Sequence, residues 1–302
     1  MPAVVEIREV GPRDGLQNEA PIPVDDRVRL IDALSRTGLR RIEAASFVKA
    51  EAIPSMAGAD EVMARIERRP GVRYSALVPN VRGAERALAA GADELEVVVS
   101  ASETHNQRNV RRSVAESVEG VAELTDLAHE AGRPAEAIVS TAFGCPYEGD
   151  VAAERVAEVA LDLLGAGADR CSFGDTTGMA TPRRVDDLLD ALDRAGVAAT
   201  EVGLHFHNTR GTGLANVLAG LERGVTRFDT SIGGLGGCPY APGASGNIVT
   251  EDLVHMLADM GIETGVDLDT LIEAAILAET VVGRELPGQV MRAGPRTRVH
   301  AS

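Results

Sequence analysis

Two histidines, His205 and His207, have the spacing in this sequence that points most directly to chemistry. They flank Phe206 in a strand-like run, and side chains two residues apart on a strand point to the same face. Two imidazoles on one face begin a metal site, although the pair alone is equally typical of a polar network in a protein interior. Asp14 could add a carboxylate and Asn247 an amide oxygen. Such nitrogen and oxygen ligands are more typical of six-coordinate Mg²⁺ or Mn²⁺ than of a structural zinc site, which prefers thiolates.

Charged side chains follow the ends of several other predicted strands. Arg13 stands beside Asp14 in a turn shaped by glycine and proline, and indicates a cation aimed at developing negative charge. Glu43 could hold Arg13 or a metal ligand in place, and an ordinary buried ion pair is equally compatible with it. Asp175 could cap the helix that begins near Thr181 or could serve the site.

A glycine-rich segment, residues 233–247, carries one reactive type of side chain, Cys238. Six glycines in fifteen residues are typical of a loop rather than of a core element. Cys238 is either a small filler in a tight turn or an acid or nucleophile that closes over a substrate. A similar Gly-Cys-Pro-Tyr sequence contains Cys145, so spacing does not choose between the two cysteines. The flexible setting favours Cys238.

Short β-branched runs alternate with amphipathic stretches along the chain, which predicts strands and helices in alternation. We predict eight strands, at Val4–Val10, Arg41–Phe47, Tyr74–Val78, Glu94–Ser100, Ala137–Phe143, Cys171–Asp175, Val202–His207 and Phe228–Ile232. Helices are predicted at Asp26–Arg36, Ala84–Ala90, Glu116–Ala131, Ala153–Leu164, Arg184–Arg194 and Leu214–Arg223. Glycine at a helix end, as at Gly38, Gly91 and Gly224, is expected to turn the chain into the next strand.

Eight such units predict an α/β fold, a closed parallel (β/α)₈ TIM barrel. An open doubly wound sheet is the alternative, but the first turn lacks the G-x-G-x-x-G spacing typical of that fold. One helix at about Glu251–Met260 completes the eighth unit, and an additional C-terminal helix is expected at about Leu268–Val282. The prediction is a single catalytic domain over residues 1–302, with a helical extension from about residue 264. Catalytic residues of such barrels lie where the strands end.

Composition excludes several classes of function. The net charge of −16 argues against a nucleic-acid-binding or anionic-membrane surface. Three cysteines without close pairing do not form a disulfide framework, and no segment is long and apolar enough to span a bilayer. The first residues lack the features of a signal or transit peptide, so a cytoplasmic enzyme is expected.

Several segments together resemble the 3-hydroxy-3-methylglutaryl-CoA lyase family of metal-dependent lyase and synthase barrels. The similar segments span nearly the whole chain in the family's order. They are residues 10–19 (VGPRDGLQNE), 42–43 and 46–48, 143–149 (FGCPYEG), 174–176, 205–207 and the glycine-rich segment through Asn247. The Arg-Asp and His-x-His elements are shared with Claisen-type relatives, whereas the Gly-Gly-Cys-Pro-Tyr-Ala sequence is more particular to the lyases.

This resemblance implies cleavage of 3-hydroxy-3-methylglutaryl-CoA to acetyl-CoA and acetoacetate, with Mg²⁺ or Mn²⁺ as cofactor. Arg13 would stabilise the enolate and Cys238 would donate a proton, with Glu43 and Asp175 as supporting active-site residues. The substrate would be a small acyl-CoA, and the family habit together with the extra helix leads us to expect a homodimer. The implied metal ligands are Asp14, His205, His207 and Asn247.

Other functions remain open from the sequence. Ala20 and the Thr104-His105 pair, in a predicted loop after strand 4, differ from family members, so a longer or differently branched 3-hydroxyacyl-CoA is an alternative substrate. A Claisen-type acyl-CoA synthase would share the metal site. A class I aldolase would depend on Lys49, the sole lysine of the chain. A catalytically silent barrel that binds an acyl-CoA or a partner protein is the non-enzymatic alternative.

Overall fold

The computed structural model describes residues 1–237 and 246–298, and eight parallel strands within them close into a barrel. Each strand pairs with the next, and the last pairs in parallel with the first. The predicted (β/α)₈ fold is therefore confirmed. The strands are β1 (Glu6–Glu9), β2 (Arg41–Ser46), β3 (Arg73–Leu77), β4 (Glu94–Ser100), β5 (Ala135–Ser140), β6 (Arg170–Gly174), β7 (Val202–His205) and β8 (Arg227–Thr230).

Helices follow the strands and cover the outside of the barrel. Their apolar faces are buried against it, as expected of helices packed on a parallel sheet. In the described part of the chain they are α1 (Val24–Leu34), α2 (Ala59–Arg65), α3 (Val81–Ala89), α4 (Glu103–Val110), α5 (Val114–Glu130), α6 (Ala153–Gly165), α7 (Pro182–Arg194), α8 (Gly213–Glu222), α9 (Thr250–Asp259), α10 (Leu268–Val282) and α11 (Val290–Ala293). No helix in this part is long and apolar enough to cross a membrane.

Seven of the eight predicted strands end one to three residues beyond the observed ends, and the prediction for β4 is confirmed. β-Branched residues continue past the points where parallel pairing stops, and composition does not show where a ladder ends. Strand β7 illustrates this, because it ends at His205 rather than at His207. His207 instead forms an isolated antiparallel bridge with Asn247, and this bridge is not part of the barrel sheet. The predicted end of this strand was wrong, but the bridge joins two of the predicted metal ligands.

Helix α4 corrects the expectation of a loop at Thr104 and His105. The helix contains few apolar residues, so it has no strong apolar periodicity by which it could be recognised. Its start is fixed by Ser102, whose side-chain oxygen accepts a hydrogen bond from the backbone N–H of His105 at 3.1 Å. His105 is thus a buried residue of the helix that follows β4.

The glycine joints between helices and strands adopt the predicted left-handed conformation. Gly38, Gly91 and Gly224 have φ angles of 94°, 80° and 90°. Gly38 has a second reason to lack a side chain, because a Cβ atom there would lie 2.2 Å from the carbonyl oxygen of Gly265. This joint therefore admits only glycine without a shift of the backbone.

The additional C-terminal helix, α10, covers Leu268–Val282, as predicted. Its N-terminus is capped by Asp267, whose carboxylate accepts a hydrogen bond from the N–H of Thr270 at 2.8 Å. Leu271 and Ala275 are among its buried residues, and the helix packs against α1 and α9. It therefore closes the outer layer where the chain returns beside the first unit.

Candidate metal centre and active site

The turn after β1 is wound tightly around one carbonyl group. The carbonyl oxygen of Val10 accepts hydrogen bonds from the backbone N–H groups of Arg13, Asp14 and Gly15 at 3.1, 2.8 and 3.1 Å. Val10 in turn donates its own N–H to Thr230 of β8 at 2.8 Å. The turn thus fixes Arg13 and Asp14 at the carboxyl-terminal end of the barrel, beside β8.

Asp14, His205 and His207 each offer a metal-ligand atom, and these atoms lie within 4.8 Å of one another. The Nε2 atom of His205 is 4.0 Å from Oδ2 of Asp14. The centroids of the two imidazole rings are 5.1 Å apart. Asn247 donates from Nδ2 to the same Oδ2 of Asp14 at 2.9 Å. The four predicted ligands are therefore neighbours.

The protonation states of this cluster fit a divalent cation. Burial would raise the pKa of Asp14, but Arg13 and the two histidines hold it well below its usual range. Burial, assisted by His205, lowers the pKa of His207 to about 4. At neutral pH the carboxyl group is thus ionised and His207 is neutral, as metal binding requires. Among the described residues, His207 Nδ1 and Asn247 Oδ1 are buried without a hydrogen-bond partner, which leaves both available as ligands.

Arg13 is a buried cation held on two sides. Its Nε donates to Oε1 of Glu43 at 2.5 Å, and its Nη1 donates to Oδ1 of Asp14 at 2.8 Å. Glu43 therefore holds Arg13, which was one of its possible roles. The remaining nitrogen, Nη2, donates to none of the residues that the structure describes. It is the part of the guanidinium group that can reach a substrate.

Asp175 does not cap the following helix, because Thr181 does so by accepting from the N–H of Arg184 at 3.4 Å. Oδ1 of Asp175 instead accepts from the N–H groups of Met179 and Ala180 at 2.6 and 3.1 Å. Its Oδ2 is buried and has no partner in the described part of the chain. Burial raises the pKa of Asp175 to about 6. The backbone N–H of Asp175 donates to the His205 carbonyl at 2.9 Å, which places this carboxyl group beside the histidines.

The two candidate cysteines differ in what the structure says of them. Cys238 lies outside the described residues. Gly237, the residue before it, is anchored through its carbonyl oxygen, which accepts a hydrogen bond from the side chain of Asn18 at 2.8 Å. Cys145 is buried, with Sγ 3.0 Å from Oγ of Ser102. The thiol of Cys145 is thus packed inside the protein, which favours Cys238 as the reactive residue.

Sequence reasoning missed Asp229, the residue that holds His205 from below. Its Oδ2 lies 3.3 Å from Nδ1 of His205. A carboxylate at this position orients an imidazole so that the other nitrogen faces a metal. The available signal was the alternation in β8, where Arg227 and Asp229 are charged and Phe228 between them is apolar. This alternation places both charges on one face of the strand, but by itself it does not show that this face is the barrel interior.

Another buried carboxyl group, that of Glu251, lies behind the turn that follows β8. Its Oε2 accepts a hydrogen bond from the N–H of Gly233 at 3.0 Å, and it is fully buried. Burial raises its pKa from 4.5 to about 8. The folded protein therefore retains a proton that the unfolded chain loses near pH 4.5.

Because the pKa of Glu251 is higher in the folded than in the unfolded protein, we expect the wild-type protein to lose stability as the pH rises. Below pH 4.5 both states are protonated, and between pH 4.5 and about 8 only the unfolded state ionises, so the free energy of unfolding falls. In Glu251→Gln the part of this loss that Glu251 causes, about 2–4 kcal/mol, is expected to disappear. Urea denaturation from about pH 5 to about pH 9 measures it, with the exposed Glu273→Gln as control. Parallel pH profiles for wild type and Glu251→Gln would show that Glu251 ionises normally.

The sequence profile of the HMGL-like family matches residues 4–277. A hydroxymethylglutaryl-CoA lyase of Bacillus subtilis is 48% identical over 289 residues, which are 95% of this chain and 96% of that protein. A mitochondrial hydroxymethylglutaryl-CoA lyase of Gallus gallus is 44% identical and is covered to 99%, with 98% of this chain aligned. The similarity therefore extends over the whole barrel and not only over the site.

Solved structures are similar to the same extent. A crystal structure of the Bacillus subtilis HMG-CoA lyase superposes with a TM-score of 0.94, at 48% identity, over 97% of this chain and 98% of that one. An HMG-CoA lyase from Acinetobacter baumannii, in complex with coenzyme A and 3-methylmalate, superposes with the same TM-score at 43% identity. It aligns over 99% of this chain and 98% of that one. The chain shares its entire fold with these proteins.

Proposed function

Because this chain belongs to the HMGL-like family, we propose that it is a hydroxymethylglutaryl-CoA lyase, an enzyme that cleaves 3-hydroxy-3-methylglutaryl-CoA to acetyl-CoA and acetoacetate. The observation that carries the proposal is the convergence of three metal-ligand atoms from Asp14, His205 and His207 within 4.8 Å. Arg13, a cation whose Nη2 donates to none of the described residues, adjoins this cluster through Asp14. The reaction needs both features, because it must activate an alcohol and stabilise an enolate.

The cofactor is proposed to be Mg²⁺ or Mn²⁺, held by Asp14, His205, His207 and Asn247. Support comes from the donor set, which combines an ionised carboxylate, imidazoles and an amide oxygen without a thiolate. When bound, such an ion lowers the cost of removing the proton from the tertiary hydroxyl group of the substrate. The low pKa of Asp14 and of His207 means that protons do not compete for these ligands at neutral pH.

Asp175 is proposed to take the hydroxyl proton. Its Oδ1 is fixed by two backbone N–H groups, so its buried Oδ2 is the oxygen left to act as a base. Removal of this proton lets the C3 oxygen form a carbonyl group while the bond between C2 and C3 breaks. The bonding electrons pass to the thioester carbonyl, which gives acetoacetate and the enolate of acetyl-CoA.

Arg13 is proposed to face the enolate oxygen. The contacts of its Nε and Nη1 with Glu43 and Asp14 fix the plane of the guanidinium group, so Nη2 is pre-organised before substrate arrives. A fixed cation near developing negative charge lowers the barrier without reorganisation during the reaction. Glu43 contributes by holding Arg13 in this orientation.

Cys238 is proposed to supply the proton that converts the enolate carbon into the methyl group of acetyl-CoA. A thiol with an ordinary pKa of about 8.5 is mostly protonated at neutral pH and can act as this acid. The burial of Cys145 against Ser102 supports assignment of the role to Cys238.

The remaining alternatives are less well supported. Lys49 is exposed and lies beyond Ser46, the last residue of β2, whereas a Schiff-base lysine needs a desolvated setting that lowers its pKa. A homodimer stays a prediction, and the exposed Ile276 on α10 is one apolar residue that such an interface could cover.

We expect purified protein to form acetoacetate and acetyl-CoA from 3-hydroxy-3-methylglutaryl-CoA when Mg²⁺ or Mn²⁺ is present. EDTA should abolish the activity and added metal should restore it, because the ligands alone cannot activate the alcohol. Asp14→Asn is expected to fold normally and to show no metal-dependent activity. Absence of turnover by folded, metal-loaded protein would contradict the substrate. Cleavage of a longer or differently branched 3-hydroxyacyl-CoA would then retain the lyase and correct its acyl group.

A further inference from the structure

The interior of the barrel below the metal ligands is charged rather than apolar. TIM-barrel interiors are usually filled by branched apolar side chains, so charges there need a specific reason. Each ionised group in such a place costs several kcal/mol of desolvation unless it is closely paired. The buried charged residues on the interior faces of the strands are Arg8, Arg41, Glu43, Glu94, Glu96, Glu136 and Asp229.

Arg8, from β1, lies at the centre of this cluster and is 2% exposed. Its Nε and Nη2 donate to the two oxygens of Asp229 at 2.8 and 2.6 Å. This two-point contact fixes the plane of the Asp229 carboxylate as well as its position. On the opposite side, Nη1 of Arg8 lies 2.9 Å from Oε1 of Glu96 and 3.1 Å from Oε1 of Glu136. Arg8 thus spans the barrel from β8 to β4 and β5.

The carboxyl groups around Arg8 have neighbours of their own. Burial, together with the nearby carboxyl group of Glu96, raises the pKa of Glu43. Glu43 in turn holds Arg13 through Oε1. Glu136 also accepts hydrogen bonds from Arg41, at 2.8 Å, and from Ser172. Arg8 is therefore held by a carboxyl group, that of Glu136, which has further partners of its own, and this limits how far the contact between Arg8 and Asp229 can shift.

The fixed Asp229 acts on His205. Its Oδ2 lies 3.3 Å from Nδ1 of His205, whose Nε2 is the atom facing Asp14. A carboxylate that accepts a hydrogen bond from Nδ1–H favours the tautomer with the proton on Nδ1. The unprotonated Nε2 then directs its lone pair at the metal site. Loss of such a partner typically costs 10- to 100-fold in metal affinity. The orientation of His205 thus depends on Asp229, and that of Asp229 depends on Arg8.

We propose that Arg8 is a positioning residue of the metal centre, which acts through Asp229 to hold His205 in the orientation that binds a divalent cation. The inference rests on the proposed metal site but not on the identity of the acyl-CoA substrate. The competing explanation is that Arg8 only neutralises buried carboxylates. Neutralisation would affect stability, whereas positioning would affect the affinity for the metal.

Arg41 provides a matched control. It lies in the same interior cluster, is 4% exposed, and pairs with Glu94 and Glu136 at 2.8 Å. In the described part of the chain, none of its hydrogen bonds or ion pairs reaches a predicted ligand or Asp229. Lysine at either position keeps the charge but loses the two-point geometry of the guanidinium group.

The test titrates metal-free Arg8→Lys, Arg41→Lys and wild-type protein with Mn²⁺ by calorimetry, and records Tm for each without metal. We expect the Mn²⁺ affinity of Arg8→Lys to fall about 10- to 100-fold. Arg41→Lys is expected to lose a similar amount of Tm while its affinity stays within about threefold of wild type. Wild-type affinity in Arg8→Lys, or an equal loss in Arg41→Lys, would overturn the proposal.

Asp229→Asn keeps the inference testable if Arg8→Lys does not fold. This nearly isosteric change removes the carboxylate that accepts from His205, and the same loss of Mn²⁺ affinity is expected. Unchanged affinity in Asp229→Asn would overturn the proposal as firmly. Mn²⁺ binding is measured without substrate. Failure to cleave 3-hydroxy-3-methylglutaryl-CoA would therefore refute the proposed substrate but would not affect the comparison of Mn²⁺ affinities.

Discussion

Replacement of Arg13 by methionine is expected to lower kcat for cleavage of 3-hydroxy-3-methylglutaryl-CoA by about 10²- to 10³-fold. The physical reason is that the guanidinium group faces charge that develops only as the carbon–carbon bond breaks. An interaction made mainly in the transition state affects kcat more than KM. Steady-state kinetics at saturating Mn²⁺ measures the change, and calorimetric titration shows whether metal binding persists.

Arg13→Lys is the matched variant for this prediction. Lysine keeps the positive charge, but a single ammonium group cannot contact both Glu43 and Asp14 and still present a fixed donor to the enolate. An intermediate kcat is therefore expected. If Arg13→Met retains wild-type kcat, the enolate is stabilised by another group and the assigned role is wrong. A large loss of Mn²⁺ affinity in Arg13→Met would instead indicate that Arg13 acts by fixing Asp14.

The order of strands and the class of fold could be predicted from the sequence because the signals involved are local and repeated. Alternation of β-branched and amphipathic stretches predicts the βα units, and eight of them have one common closed arrangement. Helix α4 could not be predicted in this way, since its start depends on a side-chain cap by Ser102 and its composition is polar. The end of β7 depends on the bridge between His207 and Asn247, residues far apart in sequence.

The candidate site was predictable to the extent that it lies on strand ends. Asp14 and the two histidines follow from that rule, and the structure brings their ligand atoms together. Arg8 and Asp229 were not found, because alternation along a strand shows which residues share a face but not whether that face is the barrel interior. A charged residue in a strand is ordinarily assigned to solvent, and only the closed topology shows that these charges are enclosed.

The second large effect is expected at Cys238, where replacement by alanine should lower kcat by about 10²- to 10⁴-fold. The acetyl-CoA enolate needs a proton at carbon, and without a positioned acid it must obtain this proton from water. Cys238 is not a proposed metal ligand, so Mn²⁺ affinity should stay at the wild-type value. For Arg8→Lys, by contrast, the expected effect is a loss of Mn²⁺ affinity. The two measurements, made on both variants, separate proton donation from positioning of the metal site.

Cys145→Ala is the control that the sequence itself offers, because Cys145 lies in the same Gly-Cys-Pro-Tyr context as Cys238. Its thiol is buried against Ser102, so its removal should cost stability through lost packing and leave kcat within a few-fold of wild type. If Cys145→Ala abolished turnover in folded protein while Cys238→Ala did not, the assignment of the two cysteines would be reversed. If neither variant lost activity, the proton would come from water or from another acid, and the thiol would have no chemical role. Loss confined to Cys238→Ala is the result that a thiol donating to the enolate requires.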